Sequence, residues 1–214
     1  MIAWPHVSED EDSDVALLAA WREGDAAAGQ ALLATHFSRL YMFFSNKVAG
    51  DVSDLVQRTM LGCVEGRDRI GGSFKAYLLG VARKQLYAHY RGTMAAAGRD
   101  AATTTVADLS PTPSAMVVMK HDQRRLLTAL RNIPLEFQIV VELHYWEDLS
   151  MPELAEVLGV PVGTAKSRLR RAREALAAKV RETESTPLGE TTMDNVDRWA
   201  RSIRAEIAVQ LERG

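Results

Sequence analysis

One stretch constrains the fold more than any other: SMPELAEVLGVPVGTAKSRLRRAREAL, residues 150–176. Ser150 and Glu153 stand at capping-box spacing, in which each side chain accepts a backbone N–H at a helix start, so a helix opens at Met151. Gly159 can end it, because glycine takes left-handed backbone at no steric cost. Pro161 suits the first turn of a following helix, where its missing N–H is no loss. Two helices joined by a short turn containing Gly form the helix-turn-helix pattern. Small Ala155 lets the pair approach, and Leu154, Leu158, Val160 and Leu169 fill the space between.

At 100° per residue the second helix sorts its side chains cleanly. Ala165, Leu169, Ala172 and Leu176 form one narrow apolar stripe that must face a core. Lys166 and Arg173 flank it on one side and Arg168 on the other, while Ser167, Arg170 and Arg171 point furthest away. A recognition helix needs this layout, with outermost residues reaching base edges in the major groove and flanking ones reaching phosphates. A merely solvated face would mix in Glu at i,i+4 from the cations. Here Glu174, placed to pair with Arg170 or Arg171, is the only acid between Pro161 and Lys179.

Helical spacing also organises the rest of the chain. Leu17, Leu18 and Trp21 open a short helix that stops near Gly24. Asp25 then caps a long one running through Leu32, Leu33, Phe37, Leu40, Tyr41 and Phe44. Val52, Leu55, Val56, Met60 and Val64 mark another, broken by Gly71 and Gly72. Ser73 stands at the N-cap of a helix from Phe74 to Tyr90. Gly92 to Pro113 is mostly Ala, Thr, Gly and Pro, so it buries little and reads as a linker. Helices over 117–130, 134–146, 151–158 and from about 161 follow, and Val196, Trp199, Ala200, Ile203 and Ile207 give a last amphipathic one over 193–211. The predicted fold is all-α: two small helical domains joined by a flexible linker, plus a C-terminal helix.

The formal net charge of −2 conceals two cationic segments. From Phe74 to Arg91 there are Lys75, Arg83, Lys84 and Arg91 with no acid. From Pro161 to Glu182 seven cations face only Glu174 and Glu182. Such segments are the footprint of a nucleic-acid binder, whereas the acidic run Glu9–Asp14 reads as a solvated tail. A single cysteine, Cys63, excludes an internal disulfide and argues against a cysteine-built zinc site. No secretory segment or bilayer-length apolar run is present, so a cytoplasmic protein without membrane insertion is expected. His6, His36, His89, His121 and His144 are scattered, with no HExxH, phosphate loop or dinucleotide turn. No enzyme, cofactor or metal is expected.

A helix-turn-helix alone fits a stand-alone regulator that binds duplex DNA. The N-terminal half narrows the choice. DVSDLVQRTMLGCVEG, then GSFKAYLLGVARKQLYAHYRG, then the linker and helix-turn-helix resemble, in order and spacing, an extracytoplasmic-function (ECF) sigma factor of bacterial RNA polymerase, from about Asp14 to Val180. Asp54-Leu55-Val56-Gln57 is similar to conserved region 2.2, Ser73 to Arg83 to regions 2.3 and 2.4, and Gly163 to Arg173 to region 4.2. The resemblance implies an acidic tail at 1–13, region 2 at 14–92, a linker at 93–114, region 4 at 115–182 and an extension at 183–214.

The same resemblance implies roles. Asp54, Gln57, Arg58 and Leu61 would dock on the β′ clamp helices of core RNA polymerase, and region 4 on its β flap. Arg83, Lys84, Tyr87 and Arg91, on one side of their helix, would engage the melted −10 element, with cations on phosphates and aromatics on unpaired bases. Tyr77, Leu78 and Val81 belong to the core. The loop Arg67 to Gly72 would help form a pocket for a flipped-out base. Lys166, Ser167, Arg168, Arg170, Arg171 and Arg173 would read the −35 element. Promoter DNA, core polymerase and an anti-sigma factor are the implied partners. Family members often carry Trp at Tyr77, Asn at Lys84 and Val at Ala165.

Overall fold

The computed structural model describes residues 7–96, 98, 103–109 and 127–182, with side chains described from residue 12. Most of the helix expected over 117–130 and all of that over 193–211 lie outside the described residues. Among them every regular element is helical, and no helix is long and apolar enough to cross a membrane.

Helix α1 (Val7–Arg22) starts before the acidic run expected to be a tail and carries it in helical form, then turns back at Gly24 into α2 (Ala26–Thr35). The Asp25 carboxylate caps α2, accepting the N–H groups of Ala27 and Ala28 at 2.9 and 3.0 Å. The two helices approach closely because Gly29 has no side chain: a Cβ there would stand 2.4 Å from the Trp21 indole. The single long helix predicted after Asp25 is two helices, since α3 (Phe37–Ser45) begins only after His36. His36 leaves helical geometry (φ −95°, ψ 0°) and turns its buried ring to Asp14, 2.8 Å away, a long-range bond that periodicity does not report. Helix α4 (Ser53–Gly66) and a 3-10 turn (Arg67–Arg69) lead to α5 (Phe74–Ala96). Ser73 caps α5 through the Ala76 N–H at 3.2 Å.

α5 runs beyond Tyr90 because its buried stripe does: Leu79, Leu86, Tyr90 and Met94 all lie inside. Part of the linker is tied down. The Leu135 N–H donates to the Thr104 carbonyl at 2.7 Å, and Thr105 pairs with Pro134 in an isolated bridge. A single helical turn follows, α6 (Val106–Leu109), held by reciprocal Thr105–Asp108 bonds and a fully buried Val106. After helical residues 127–131 come α7 (Leu135–Tyr145), α8 (Met151–Leu158) and α9 (Val162–Glu182).

The two halves share one apolar cluster extending from Leu18 to Val180, with α8 packed along α5. Full burial of each Leu or Phe in it contributes about 1.5–3 kcal/mol. Across the same seam run buried charges. Arg39 Nε donates to Glu147 Oε2 at 2.8 Å. The Lys47 ammonium donates to Glu142, to the Phe43 carbonyl and to Asn46 Oδ1. Glu142 also accepts from Asn46 at 3.0 Å and from Gln138 at 2.7 Å, while Arg131 donates to the Asn46 carbonyl at 2.7 Å. Burial holds the Lys47 ammonium below its ordinary value, with Glu142 opposing the shift. Buried pairs add little net stability but are costly to break singly, so their main effect is to set which surfaces meet.

Candidate nucleic-acid interface

The helix-turn-helix is built as its residues dictate. Ser150 Oγ accepts the Glu153 N–H and the Glu153 carboxylate accepts the Ser150 N–H at 2.9 Å, a complete capping box. Partial burial pushes the Glu153 carboxyl up, but hydrogen bonds from Ser150 and Ser73 and the nearby Lys75 charge together outweigh it and hold the carboxyl below its usual range. Gly159 takes φ +67° and ψ 39°, and the Pro161 carbonyl accepts the first bonds of α9 from Thr164 and Ala165. Ala165, Leu169, Ala172 and Leu176 are buried, together with Leu154, Ala155 and Leu158 opposite.

That anchoring decides where the cations point. Lys166, Arg170 and Arg171 are exposed, and Ser167, Arg168 and Arg173 are half-buried. Arg170 pairs with Glu174 at 2.6 Å and Arg171 Nε reaches the Ser167 carbonyl at 3.4 Å. Ser167 turns its hydroxyl to the Thr164 carbonyl at 2.9 Å, satisfying itself within the helix. Arg168 leans away toward Glu136 of α7, 3.9 Å distant. The outermost face of α9 is thus a cationic strip of Lys166, Arg170 and Arg171.

On α5, Arg83, Lys84, Tyr87 and Arg91 share a side, but differently. Lys84 and Arg91 are exposed, whereas Arg83 and Tyr87 are half-buried, the guanidinium lying 5.0 Å over the phenol ring. Burial pushes the Tyr87 phenol up, partly offset by Arg83, and Glu136 and Arg168 from the second half also act on it. Leu78 is fully buried, and Tyr77 and Val81 pack against the core. The Tyr77 ring covers Gly66 so closely that a Cβ there would meet its hydroxyl at 1.9 Å. The loop 67–72 is pinned by buried Ile70 and by Arg22, which donates to the carbonyls of Arg67 and Ile70.

Asp54, Gln57, Arg58 and Leu61 form one exposed face of α4, with Arg58 and Asp54 paired at 2.9 Å and Leu61 exposed despite being apolar. The structure therefore keeps three surfaces separate in composition: cationic on α9, cationic-aromatic on α5, and mixed charged-apolar on α4. Among the described residues, no cluster of His, Cys, Asp and Glu could hold a metal. Cys63 is buried, its thiol pushed up to about 12 by that burial, which leaves it a packing residue. Lys75, expected only as part of the cationic segment, is buried instead. The charged seam of Arg39, Lys47, Glu142 and Glu147 escaped sequence reasoning altogether. Its signal is present: Glu142 is a lone charge inside IVVEL, and Lys47 follows the apolar Phe43-Phe44 pair.

Residues 123–176 match the sigma-70, region 4 family, which spans the helix-turn-helix. The chain is 31% identical over 176 residues to the ECF RNA polymerase sigma factor SigF of Caulobacter vibrioides, covering 79% of this chain and 94% of that protein. The fold is similar to CnrH in its complex with the cytosolic domain of CnrY, with a TM-score of 0.53 and 25% identity over 80% of this chain and 99% of that one. It is also similar in fold to the sigma factor RpoE solved with the anti-sigma factor NepR from Bartonella quintana, with a TM-score of 0.54 at 20% identity, covering 72% and 98% of the two chains. Identity at this level along nearly a whole relative, with the helix-turn-helix matched on its own, leads to one conclusion: the chain belongs to the extracytoplasmic-function family and is an alternative sigma factor of bacterial RNA polymerase.

Proposed function

We propose that the three surfaces divide the work of promoter recognition, without catalysis and in the cytoplasm. Region 4, residues 115–182, reads the −35 element with α9. Lys166, Arg168 and Arg173 track phosphates, and Ser167, Arg170 and Arg171 face base edges, where an Arg bidentate to guanine discriminates by about 1–3 kcal/mol. Region 2, residues 14–92, captures the −10 element on α5 through Arg83, Lys84, Tyr87 and Arg91, with the loop 67–72 beside it. Asp54, Gln57, Arg58 and Leu61 dock on the β′ clamp helices of core polymerase, and region 4 engages the β flap. The linker, 93–114, joins the two; the extension, 183–214, adds a regulatory or stabilising segment. An anti-sigma factor is the natural antagonist, as NepR is for the RpoE similar to this chain in fold.

The observation that carries this reading is the exposed α9 strip, held outward by the buried Ala165–Leu176 stripe on the opposite side. A merely solvated face would mix acids among its cations, and between Pro161 and Lys179 Glu174 is the only acid. The test is reconstitution with core polymerase. The purified protein should co-purify with core enzyme at low salt and direct transcripts from a cognate promoter. Arg171→Ala should weaken use of the −35 element, and Asp54→Ala should weaken core binding with DNA contacts intact. No co-purification and no specific transcript would overturn the assignment.

A further inference from the structure

The loop from Arg67 to Gly72 joins α4 to α5, and two of its features point beyond packing. The first is how its backbone is held. Carbonyls past a helix end have no partner within the helix, and the loop inherits that deficit from α4. The Arg67 carbonyl accepts the Ile70 N–H at 3.4 Å, a long bond that closes the 3-10 turn. A firmer tie comes from 45 residues upstream: Arg22 Nε donates to the same carbonyl at 3.2 Å, and Arg22 Nη2 donates to the Ile70 carbonyl. A planar guanidinium presents its N–H groups in a fixed fork, so one side chain sets the spacing of two carbonyls at once. The origin of that fork is itself fixed. Arg22 is the last residue of α1, and Trp21 beside it is buried against Gly29 of α2, where a Cβ would stand 2.4 Å from the indole. The Arg67 guanidinium lies 6.0 Å from the same ring, and Ile70 is buried. The segment from Arg67 to Ile70 is therefore held from α1, a helix outside the three surfaces assigned to DNA and polymerase.

The second feature is Gly71. Glycine serves where φ is positive, where a neighbour leaves no room for a Cβ, or where a ligand must approach the backbone. The φ of Gly71 is not positive, unlike that of Gly24, Gly50 or Gly159. A Cβ on it would meet nothing within 4 Å, whereas one on Gly66 would meet the Tyr77 hydroxyl at 1.9 Å and one on Gly72 the Glu156 carboxylate at 3.4 Å. Neither backbone shape nor packing among the described residues requires glycine at 71. What it leaves is bare, exposed backbone beside the segment that Arg22 holds.

We propose that Arg22 is a positioning residue for base capture: by clamping the carbonyls of Arg67 and Ile70, it holds the loop in the shape that receives one unstacked −10 base against the open backbone of Gly71. The proposal rests on the promoter-recognition reading, which places a flipped-out base at this loop. Unstacking a base costs free energy, and a loop already in its bound shape adds no ordering cost to it. A loop released from Arg22 must order itself each time a base enters. It also adapts to the wrong base, so discrimination falls together with affinity.

The test uses the full chain reconstituted with core RNA polymerase and a promoter fragment selected by the wild-type holoenzyme. The fragment carries 2-aminopurine, which brightens when unstacked, at successive non-template positions of the −10 element. Fragments with each other base at the responding position measure preference. Wild type should brighten the probe at one position and prefer the natural base there. Arg22→Ala should weaken the affinity for that brightening, and the preference, roughly tenfold, the loss expected for one charge-assisted hydrogen bond. Its −35 preference and thermal unfolding should stay as in wild type, since Arg22 is exposed. Arg22→Lys keeps the charge but not the fork and should recover only part of the loss. Gly71→Val puts a side chain over the open backbone, so it should lose the brightening without lowering the unfolding midpoint. Unchanged brightening and preference in Arg22→Ala overturn the positioning role. Full recovery by Arg22→Lys does the same, because charge alone then suffices, as does a loss of −35 preference and stability that tracks the loss at −10. Wild-type brightening in Gly71→Val overturns the seat of the base. A wild type that brightens at no −10 position, while still directing transcripts, overturns the loop reading itself and the positioning role with it.

Discussion

α5 and α9 are the two long cationic helices of this sigma factor, 23 and 21 residues respectively, and each buries an apolar stripe on one side. Their opposite sides differ. On α9 Lys166, Arg170 and Arg171 stand in solvent, whereas on α5 only Lys84 and Arg91 do, Arg83 and Tyr87 being half-buried with the guanidinium over the phenol ring. The contrast separates two questions that sequence merges. Charge and periodicity decide which face of a helix would suit DNA; what packs against that face decides whether it is available. The ion pairs divide the same way. Arg170–Glu174 lies open on α9, and Lys47–Glu142 is sealed in the seam that holds α8 on α5.

The sharpest way to break the comparison is to strand one seam charge. Glu142→Ala leaves the Lys47 ammonium buried without its carboxylate and should cost about 3–5 kcal/mol, read as a lower urea midpoint. Lys47→Met/Glu142→Leu, which removes both charges, should cost little or stabilise, and a large loss there would sink the seam's account. Truncating the apolar side of α5 comes next: Leu86→Ala empties a fully buried site and should cost about 2–5 kcal/mol. Arg171→Ala on the open helix should leave thermal unfolding unchanged while weakening DNA binding by about 1–3 kcal/mol and relaxing its base preference. Gly159→Ala forces a side chain into left-handed backbone at the turn that sets α8 against α9, at about 1–2 kcal/mol of stability. Glu174→Ala should be smallest. An exposed i,i+4 pair is worth under about 0.5 kcal/mol, so unfolding should barely move while DNA affinity rises slightly from the freed Arg170 charge.

Much of the architecture was legible in advance, for local reasons. The Ser150–Glu153 box, left-handed Gly159 and the Ala165–Leu176 stripe depend on residues within one or two turns of each other, and the structure has all three. The caps Asp25 and Ser73 were legible in the same way. The misreadings share one cause. The helix expected through Phe37 is interrupted because His36 bonds to Asp14, 22 residues earlier, and Lys75 is inside because of what folds over it. α5 runs to Ala96, past the Tyr90 end its spacing predicts, because Met94 in the linker-like composition is buried. Of the site, the outward face of α9 followed from its pattern and the α4 face was implied by the family resemblance, whereas the half-burial of Arg83 and Tyr87 is seen only in the fold.

The all-α fold, the helix-turn-helix and the apolar face of each helix follow from local order along the chain, because capping, propensity and a 3.6-residue period act over neighbouring residues. That the two halves pack on each other, and that Arg83 and Tyr87 are half-buried, emerges only in the folded chain. Those facts depend on pairs such as Arg39 with Glu147 and Lys47 with Glu142, 108 and 95 residues apart. A charge in the sequence carries no mark of the partner that will neutralise it, since that partner is chosen by geometry once the chain has folded.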